Sequence, residues 1–319
     1  MNKKHNICIL GGTGFVGHHL VNRLARDGHN IKVLTRRRER HRELLILPTV
    51  QLIEANAHDE ATLVQQFKGC DVVINLVGIL NERKKGDFQR AHVELPKKVI
   101  TSCKKNSVTR LLHMSALAAD AKNGPSQYLK TKGEGEALVL QAKDINVTTF
   151  RPSVIFGPED SFFNRFAGLL KLTPYFFPLA CPNSKFAPVY VNNVAEAYAR
   201  AIDNKATFKQ SYDLCGPNVY TLKQLVQYTA RLVGLKRYVM GLSHGISRLQ
   251  ATLLEFIPGK PLSRDNFLSL QIDSVCQGDF PAVFDITPTA VEAIVPNYLA
   301  RRDTRSRFFS YRTQARREE

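Results

Sequence analysis

The sequence predicts an α/β protein in which a doubly wound parallel sheet is joined to a smaller, mostly helical C-terminal lobe. Short β-rich runs alternate with longer helical ones from residue 6 to about residue 155. A glycine-rich turn separates the first strand from the first helix, and prolines cluster after Phe156. Such alternation is typical of parallel strands joined by right-handed helical crossovers.

Six strands and three long helices are predicted in the alternating region. The strands are expected at residues 6–10, 31–35, 50–54, 71–76, 110–114 and 147–151, and the helices at 14–27, 89–105 and 126–143. In the first helix, Val16, Leu20 and Leu24 share one face, and Gly28 ends it. Residues 1–155 are therefore predicted to form one nucleotide-binding domain.

The rest of the chain is predicted to form a smaller lobe. Helices are expected at residues 194–202 and 222–232. Residues 156–186 and 206–300 form this substrate or partner lobe, residues 187–205 return to the first domain, and residues 301–319 are a basic tail. We expect the lobe to cover the carboxyl ends of the strands, where open α/β sheets bind ligands.

The composition favours a protein with anionic partners and argues against a membrane-spanning, secreted or zinc-binding protein. The formal net charge is +17, which favours anionic partners. No apolar run reaches the roughly 18 residues that cross a bilayer, and the apolar run at 7–10 is too short for a signal peptide, so a cytoplasmic protein is expected. Six scattered cysteines without a C-x-x-C pair favour free thiols over a disulfide framework or a zinc site. No metal site is expected.

The glycine-rich turn carries the main functional prediction. Gly11, Gly14 and Gly17 give G-x-x-G-x-x-G spacing between strand and helix. Small residues there permit a tight turn, close approach of backbone N–H groups to a pyrophosphate, and packing of the helix on the strand. This pattern predicts a Rossmann-type dinucleotide site, with Thr13, Phe15 and Val16 as further contacts. The alternative is a glycine-rich turn that holds no ligand.

Arginines at the end of strand two favour NADP(H) over NAD(H). NAD-selective sites place an acidic residue here for the ribose 2′-hydroxyl, and none occurs before Glu39. Arg36, and next to it Arg37, offer forked donors to a 2′-phosphate. A solvated basic loop is the alternative.

Further cofactor contacts are expected where strands three and four end. Asp59 is expected near the adenine, and the run Leu76, Val77 and Gly78 is expected beside the cofactor backbone. Both segments could instead owe their composition to turn formation.

A tyrosine and a lysine form the candidate catalytic pair. Tyr128 and Lys132 are four residues apart on a predicted helix and share a face. Tyr128 would transfer a proton, and Lys132 would lower its pKa and hold the nicotinamide ribose. Ser115, after strand five, would polarise the substrate oxygen. The alternative is a solvated helix face, where such pairs are common.

These motifs resemble a known family. The glycine turn, the Tyr128-x-x-x-Lys132 pattern and the run 151–158 together resemble the short-chain dehydrogenase/reductase superfamily, especially its extended and atypical NAD-dependent epimerase/dehydratase group. Runs at 54–59, 73–80, 128–136, 155–160 and 294–299 are most similar to the accessory subunit of respiratory complex I and its bacterial relatives. The resemblance implies a tightly held NADPH, cofactor contacts at Pro152 and Val154, a place beside the membrane and a link to ubiquinone.

Two departures from the family pattern reduce the expectation of redox turnover. His92 stands near the position where extended enzymes carry an asparagine, and Ser115 is followed by Ala116 and Leu117 instead of further serines. Cofactor binding is unaffected by either change.

The basic tail suggests a partner. Residues 301–312 interleave arginine with aromatic residues, a composition that can rest on an anionic bilayer or contact a membrane complex. A solvated tail is the alternative, and nucleic-acid stacking is less favoured.

Three functional hypotheses follow. The first is a cofactor-holding structural or regulatory protein of a membrane respiratory or quinone-related complex, peripheral on the inner membrane face. The second is an active NADP(H)-dependent oxidoreductase or epimerase, and the third and weakest is a nucleic-acid-binding protein on a Rossmann scaffold.

Overall fold

A seven-stranded parallel sheet forms the centre of the computed structural model, which describes residues 3–257 and 260–300. The strands are β1 (Asn6–Leu10), β2 (Asn30–Thr35), β3 (Val50–Glu54), β4 (Val72–Asn75), β5 (Arg110–Met114), β6 (Asn146–Pro152), β7 (Ile155–Phe156), β8 (Phe176–Leu179), β9 (Lys185–Phe186), β10 (Val189–Tyr190), β11 (Gln210–Leu214), β12 (Tyr220–Thr221) and β13 (Tyr238–Gly241). The sheet order is β3-β2-β1-β4-β5-β6-β11. This doubly wound order confirms the predicted fold class.

Helices cover both faces of the sheet and build the smaller lobe. They are α1 (Phe15–Arg26), α2 (Glu60–Gln66), α3 (Asp87–Gln89), α4 (Leu95–Lys105), α5 (Gln127–Leu140), α6 (Phe163–Leu172), α7 (Val191–Ala201), α8 (Leu222–Leu232), α9 (His244–Leu254), α10 (Arg264–Ser269) and α11 (Val291–Leu299). The segment Arg90–Glu94 between α3 and α4 is a π-helix. Among the described residues, no helix combines the length and apolar composition that a bilayer crossing requires.

The side chains of strand β1 are buried on both faces of the sheet. Ile7 and Ile9 belong to the cluster that includes residues of α1 and α7, whereas Cys8 and Leu10 belong to the cluster that includes residues of α2 and α4. All four side chains are fully buried. A central parallel strand must be apolar on both faces, because helices cover each side.

Local signals gave element ends close to those observed. The bounds of β3 and β5 match the prediction, and α1 ends at Arg26 with Gly28 in the left-handed region at φ 79°. One prediction is wrong: the sequence places residues 206–300 in the smaller lobe, but β11 (Gln210–Leu214) pairs in parallel with β6 in the large sheet. Its partner lies about sixty residues earlier, so no local pattern marks it as a sheet strand.

The smaller lobe packs α6, α8 and α11 around an apolar cluster that includes Phe163, Phe177 and Val226. It also contains two-stranded ribbons, β8 with β13 and β9 with β12. The predicted basic tail at 301–319 lies outside the described residues.

The expectation of free thiols is wrong for one pair. Cys215, at the end of the sheet, and Cys276, in the smaller lobe, form a disulfide. Sequence spacing could not reveal it, because the two cysteines are 61 residues apart and only the fold brings them together. Cys8, Cys70, Cys103 and Cys181 are free.

Candidate dinucleotide site

The glycine turn is held by close backbone contacts. Gly11 has φ +77°, and a Cβ there would lie 3.1 Å from the carbonyl carbon of Leu76. A Cβ on Gly17 would lie 2.3 Å from the Gly11 oxygen. The N–H of Gly14 donates to that same oxygen at 3.0 Å. Since no side chain fits at Gly17, helix α1 packs directly on the turn, as a pyrophosphate cradle requires.

The start of α1 suits an anion. The helix begins at Phe15 with Gly14 as its N-cap, its first turn has no acidic residue, and no side chain in the described structure caps it. Its first N–H groups therefore retain the partial positive charge of a helix N-terminus. Thr13, Phe15 and Val16, the predicted contacts, lie half-buried along this turn.

Residues 76–78 connect the turn to helix α5. The N–H of Leu76 donates to the Leu10 oxygen at 2.9 Å, which places the end of β4 beside the end of β1. The Cβ position of Gly78 is 3.7 Å from Lys132 Nζ and 3.9 Å from His92 Nε2. The predicted contacts Leu76, Val77 and Gly78 thus lie between the phosphate cradle and the candidate catalytic helix.

A cationic cluster adjoins the end of β2. Arg36 and Arg37 are exposed there. Burial lowers the pKa of His58, and the positive charges of Arg90, Lys98 and Arg36 lower it further. Lys98 Nζ also donates to the His58 carbonyl at 2.8 Å.

Sequence analysis missed two members of this cationic cluster. Arg90 and Lys98 lie on the α3–π–α4 segment, and Glu94 is the nearby acidic group. A helical projection could have placed Arg90 and Lys98 near one face, but nothing in the sequence shows that this face meets the end of β2.

Asp59 caps a helix. Its carboxylate accepts from the Thr62 N–H at 3.1 Å and from the Thr62 hydroxyl, and these hydrogen bonds lower its pKa. Asp59 is therefore the N-cap of α2. Its predicted contact with adenine stays a prediction.

Pro152 and Val154 follow the carboxyl edge of the sheet. The Pro152 carbonyl accepts from the Leu117 N–H at 3.1 Å, and the Val154 carbonyl accepts from the Val189 N–H at 2.9 Å. Backbone bonds therefore fix both residues at the edge where a cofactor would lie.

Lys132 is buried at the end of β5. Its Nζ donates to the Met114 carbonyl at 2.6 Å, and only 4% of the residue is exposed. Burial lowers the pKa of Lys132 to about 8, although the Glu136 carboxylate acts in the opposite direction. The lysine therefore loses its proton more easily than an ordinary, solvent-exposed lysine.

Tyr128 does not have the lowered pKa that the sequence predicted. Its half-buried ring lies edge-on to Phe88 and His92, with centroids 6.0 and 5.6 Å away. Burial, and then the Asp265 carboxylate, raise the pKa of Tyr128 to about 12. The pKa of Tyr128 rises because its hydroxyl loses hydration and a carboxylate faces it.

Asp265 is a site residue that sequence analysis missed. Its carboxylate accepts from the N–H groups of Gln127 at 2.7 Å and Tyr128 at 3.2 Å. The smaller lobe therefore caps the start of α5, together with Ser126, whose hydroxyl accepts from the Leu129 N–H. Asp265 is 137 residues from Tyr128, and no local signal connects them.

His92 connects the loop after β4 to α5 through two hydrogen bonds. Burial, and then the charge of Lys132, lower the pKa of His92 to about 3, so it is neutral. Its Nε2 accepts from the Ile79 N–H at 3.1 Å, so its Nδ1 donates to the Thr131 hydroxyl at 3.0 Å. A Cβ on Gly135 would meet the His92 carbonyl at 1.9 Å. The π-helix thus packs directly on α5.

Ser115 lies beside a buried polar network. It is 2% exposed and adjoins Glu136, which is paired with Arg151 at 2.7 Å. Burial alone would raise the pKa of Glu136, but Arg151 and the Ser211 hydroxyl, which both donate to the carboxylate, bring it below its usual value. The Ser115 hydroxyl is buried and makes no hydrogen bond to a described residue. Its predicted role toward a substrate stays a prediction.

This geometry is that of a Rossmann-type nucleotide-binding protein, in which a tightly packed glycine turn opens the first helix and the candidate pair of Tyr128 and Lys132 has shifted pKa values. Residues 7–215 match the NAD dependent epimerase/dehydratase family. The chain belongs to this family, as the sequence resemblance predicted, and the family indicates a nicotinamide dinucleotide cofactor.

Two relatives differ in role. The chain is 29% identical over 297 residues, 89% of this chain and 77% of the relative, to the mitochondrial "NADH dehydrogenase [ubiquinone] 1 alpha subcomplex subunit 9" of Rattus norvegicus. It is 29% identical over 194 residues, 59% of this chain and 58% of the relative, to the "Ceramide reductase" of Caulobacter vibrioides. One relative is thus named as a subunit and the other as an enzyme.

The fold is shared with solved structures. An NADPH-dependent quinone oxidoreductase from Escherichia coli, solved with NADPH, superposes with a TM-score of 0.73 at 19% identity, covering 92% of this chain and 99% of that one. At this identity the likeness shows the fold alone.

Proposed function

We propose that this protein holds NADP(H) as a tightly bound ligand and serves as a structural or regulatory component of a membrane respiratory or quinone-related assembly. The observation that carries the cofactor part is the Gly17 contact, where α1 meets the turn with no room for a side chain. A turn of this shape lets the backbone N–H groups that open α1 approach a diphosphate closely.

The cationic cluster supports NADP(H) over NAD(H). The positive charges of Arg36, Arg90 and Lys98 all lower the pKa of His58, so the three side chains contribute to one positive region. A ribose 2′-phosphate adds about two negative charges at this end of the cofactor, and guanidinium groups bind phosphate oxygens in pairs.

The catalytic end supports a structural role. Bound NADPH would supply a hydride to a carbonyl, and the protein would have to supply the proton. Tyr128, with its pKa raised to about 12, is a weak acid at neutral pH. Lys132 Nζ is already engaged with the Met114 carbonyl. The relative from rat, named as a subunit of a ubiquinone-linked dehydrogenase, supports the assembly part.

The test begins with the purified full chain. We expect NADPH to co-purify, and to remain reduced when quinones or carbonyl compounds are added. Nicotinamide fluorescence follows both properties. Steady NADPH oxidation that is lost in Tyr128→Phe would overturn the structural role.

The assembly part has its own test. Native gel electrophoresis of gently solubilised membranes should place the protein in the band that carries NADH dehydrogenase activity. Migration only as a free chain, with that band intact, would contradict this part and leave cofactor binding standing.

An active NADP(H)-dependent oxidoreductase or epimerase is the second candidate. Tyr128 and Lys132 lie one turn apart on α5, and Lys132 Nζ lies beside Gly78 on the expected cofactor path. The Caulobacter relative named as a reductase favours this candidate. The same oxidation assay distinguishes the two functions.

A further inference from the structure

Helix α9 presents an apolar stripe to solvent. Ile246, Leu249 and Leu253, with Phe256 just beyond the helix, recur at intervals of three and four and therefore share one face. Their exposed fractions are 54%, 58%, 62% and 80%. The opposite face packs on the lobe through the fully buried Ala251. The helix is thus apolar on the side that no described residue covers.

The neighbouring ribbon has an apolar outer face as well. Strands β8 and β13 pair in register Phe176 with Tyr238 and Pro178 with Met240, and all four side chains are exposed. The Gln250 amide of α9 donates to the Pro178 carbonyl at 3.0 Å, which places the helix beside the ribbon. We call Ile246, Leu249, Leu253, Phe256 and these four ribbon residues the apolar face.

The charge around the apolar face is mostly positive. Residues 161–195 and 214–254 contain no aspartate or glutamate. Lys171, Lys236 and Arg248 are exposed basic residues of these segments. Glu255, which follows α9, is paired with Arg264 at 2.7 Å. An anionic partner is therefore favoured.

We propose that the apolar face docks on the surface of an anionic phospholipid bilayer. A monomer rarely exposes so much contiguous apolar surface without a partner. Apolar side chains with surrounding cations match the acyl boundary and the acidic headgroups, and aromatic residues such as Phe176 and Tyr238 suit the interface. A second copy fits less well, because a symmetric contact brings like charges together. The proposal does not depend on the cofactor or on turnover.

Vesicle co-sedimentation of the full chain tests this. Vesicles of phosphatidylcholine with phosphatidylserine are compared with phosphatidylcholine alone, at low and at physiological salt. The variant is Leu249→Asp with Leu253→Asp. We expect about a hundredfold weaker partition onto the anionic vesicles, since each buried leucine contributes about tenfold. Wild-type binding should weaken as phosphatidylserine is removed or salt is raised.

A matched control variant distinguishes the loss of the apolar face from the effect of the added negative charge. Leu45→Asp with Ile46→Asp adds the same charge at exposed positions beside β3, outside the apolar face. This control should bind vesicles within a fewfold of the unaltered chain. NADPH binding and thermal melting of both variants verify folding.

Three outcomes would overturn the proposal. The first is equal binding by the α9 variant and the unaltered chain, which would assign binding to another segment. The second is an equal loss in both double variants, which would show a charge effect alone. The third is a dimer in sedimentation velocity that only the α9 variant dissociates, which would assign the face to a second copy.

Discussion

The two ends of the candidate site are built differently. At the phosphate end, the geometry comes from backbone: Gly11, Gly14 and Gly17 lie within seven residues, and their contacts follow from having no side chain. At the tyrosine end, the chemistry comes from groups that arrive from elsewhere, Asp265 from α10 and His92 from the π-helix. Residues close together in sequence determine the backbone conformation of the turn, whereas the pKa of a side chain depends on every group packed around it.

The largest effect is expected at the phosphate end. Gly17→Ala places a Cβ 2.3 Å from the Gly11 oxygen, so α1 must shift. We expect NADPH binding to weaken more than about a hundredfold and the free energy of unfolding to fall by about 2 kcal/mol. Fluorescence titration and chemical denaturation measure the two. Gly168→Ala, in α6 where a Cβ meets open space, is the control and should be neutral or stabilising. Equal behaviour of the two variants would remove the basis for the cradle.

The next effect concerns cofactor choice. Arg36→Ala should weaken NADPH binding about tenfold to a hundredfold and leave NADH binding unchanged, because only the 2′-phosphate is lost as a partner. Arg42→Ala removes an exposed arginine that pairs with Glu39 and serves as the control. If NADPH and NADH binding weaken equally, the preference for NADP(H) is contradicted, and Arg36 would instead contact the pyrophosphate that both nucleotides share.

The third prediction addresses pH. Lys132 has a folded-state pKa of about 8, below the ordinary lysine value of 10.5. Between these values the unfolded chain binds the extra proton, so this lysine makes stability rise with pH, by at most about 1.4 kcal/mol per unit. Lys132→Met should flatten that rise. Denaturation midpoints from pH 8 to 10 measure it, and an unchanged slope would mean that Lys132 is not desolvated.

The smallest effect separates capping from charge. Asp265→Asn should lower the pKa of Tyr128 from about 12 toward its usual value, since a carboxylate is lost. The change also replaces a charged acceptor of two backbone N–H groups with a neutral one, which should cost up to about 1 kcal/mol of stability. Ultraviolet titration, with Tyr128→Phe as the reference that identifies the signal, follows the phenol. If the titration of Tyr128 does not shift, burial alone raises its pKa, and the Asp265 carboxylate of the smaller lobe has no effect on it.

Sequence was sufficient wherever one stretch of chain determines its own conformation. The glycine turn, the ends of β3 and β5, and Gly28 after α1 are of this kind. It was insufficient wherever remote groups meet: β11 beside β6, Cys215 with Cys276, and Asp265 at the start of α5. The pKa of Tyr128 belongs to the second kind.

The bond between Cys215 and Cys276 closes a covalent ring that contains about half of the smaller lobe, including α8, α9 and α10. A ring of 61 residues restricts the unfolded chain by an amount equivalent to about 4 kcal/mol in the chain-entropy treatment. Thiol reductants should therefore loosen the lobe while the sheet, which holds its own core, persists. An oxidising or reducing environment would then determine how long the smaller lobe stays folded, and therefore how long helix α9 keeps its exposed apolar face.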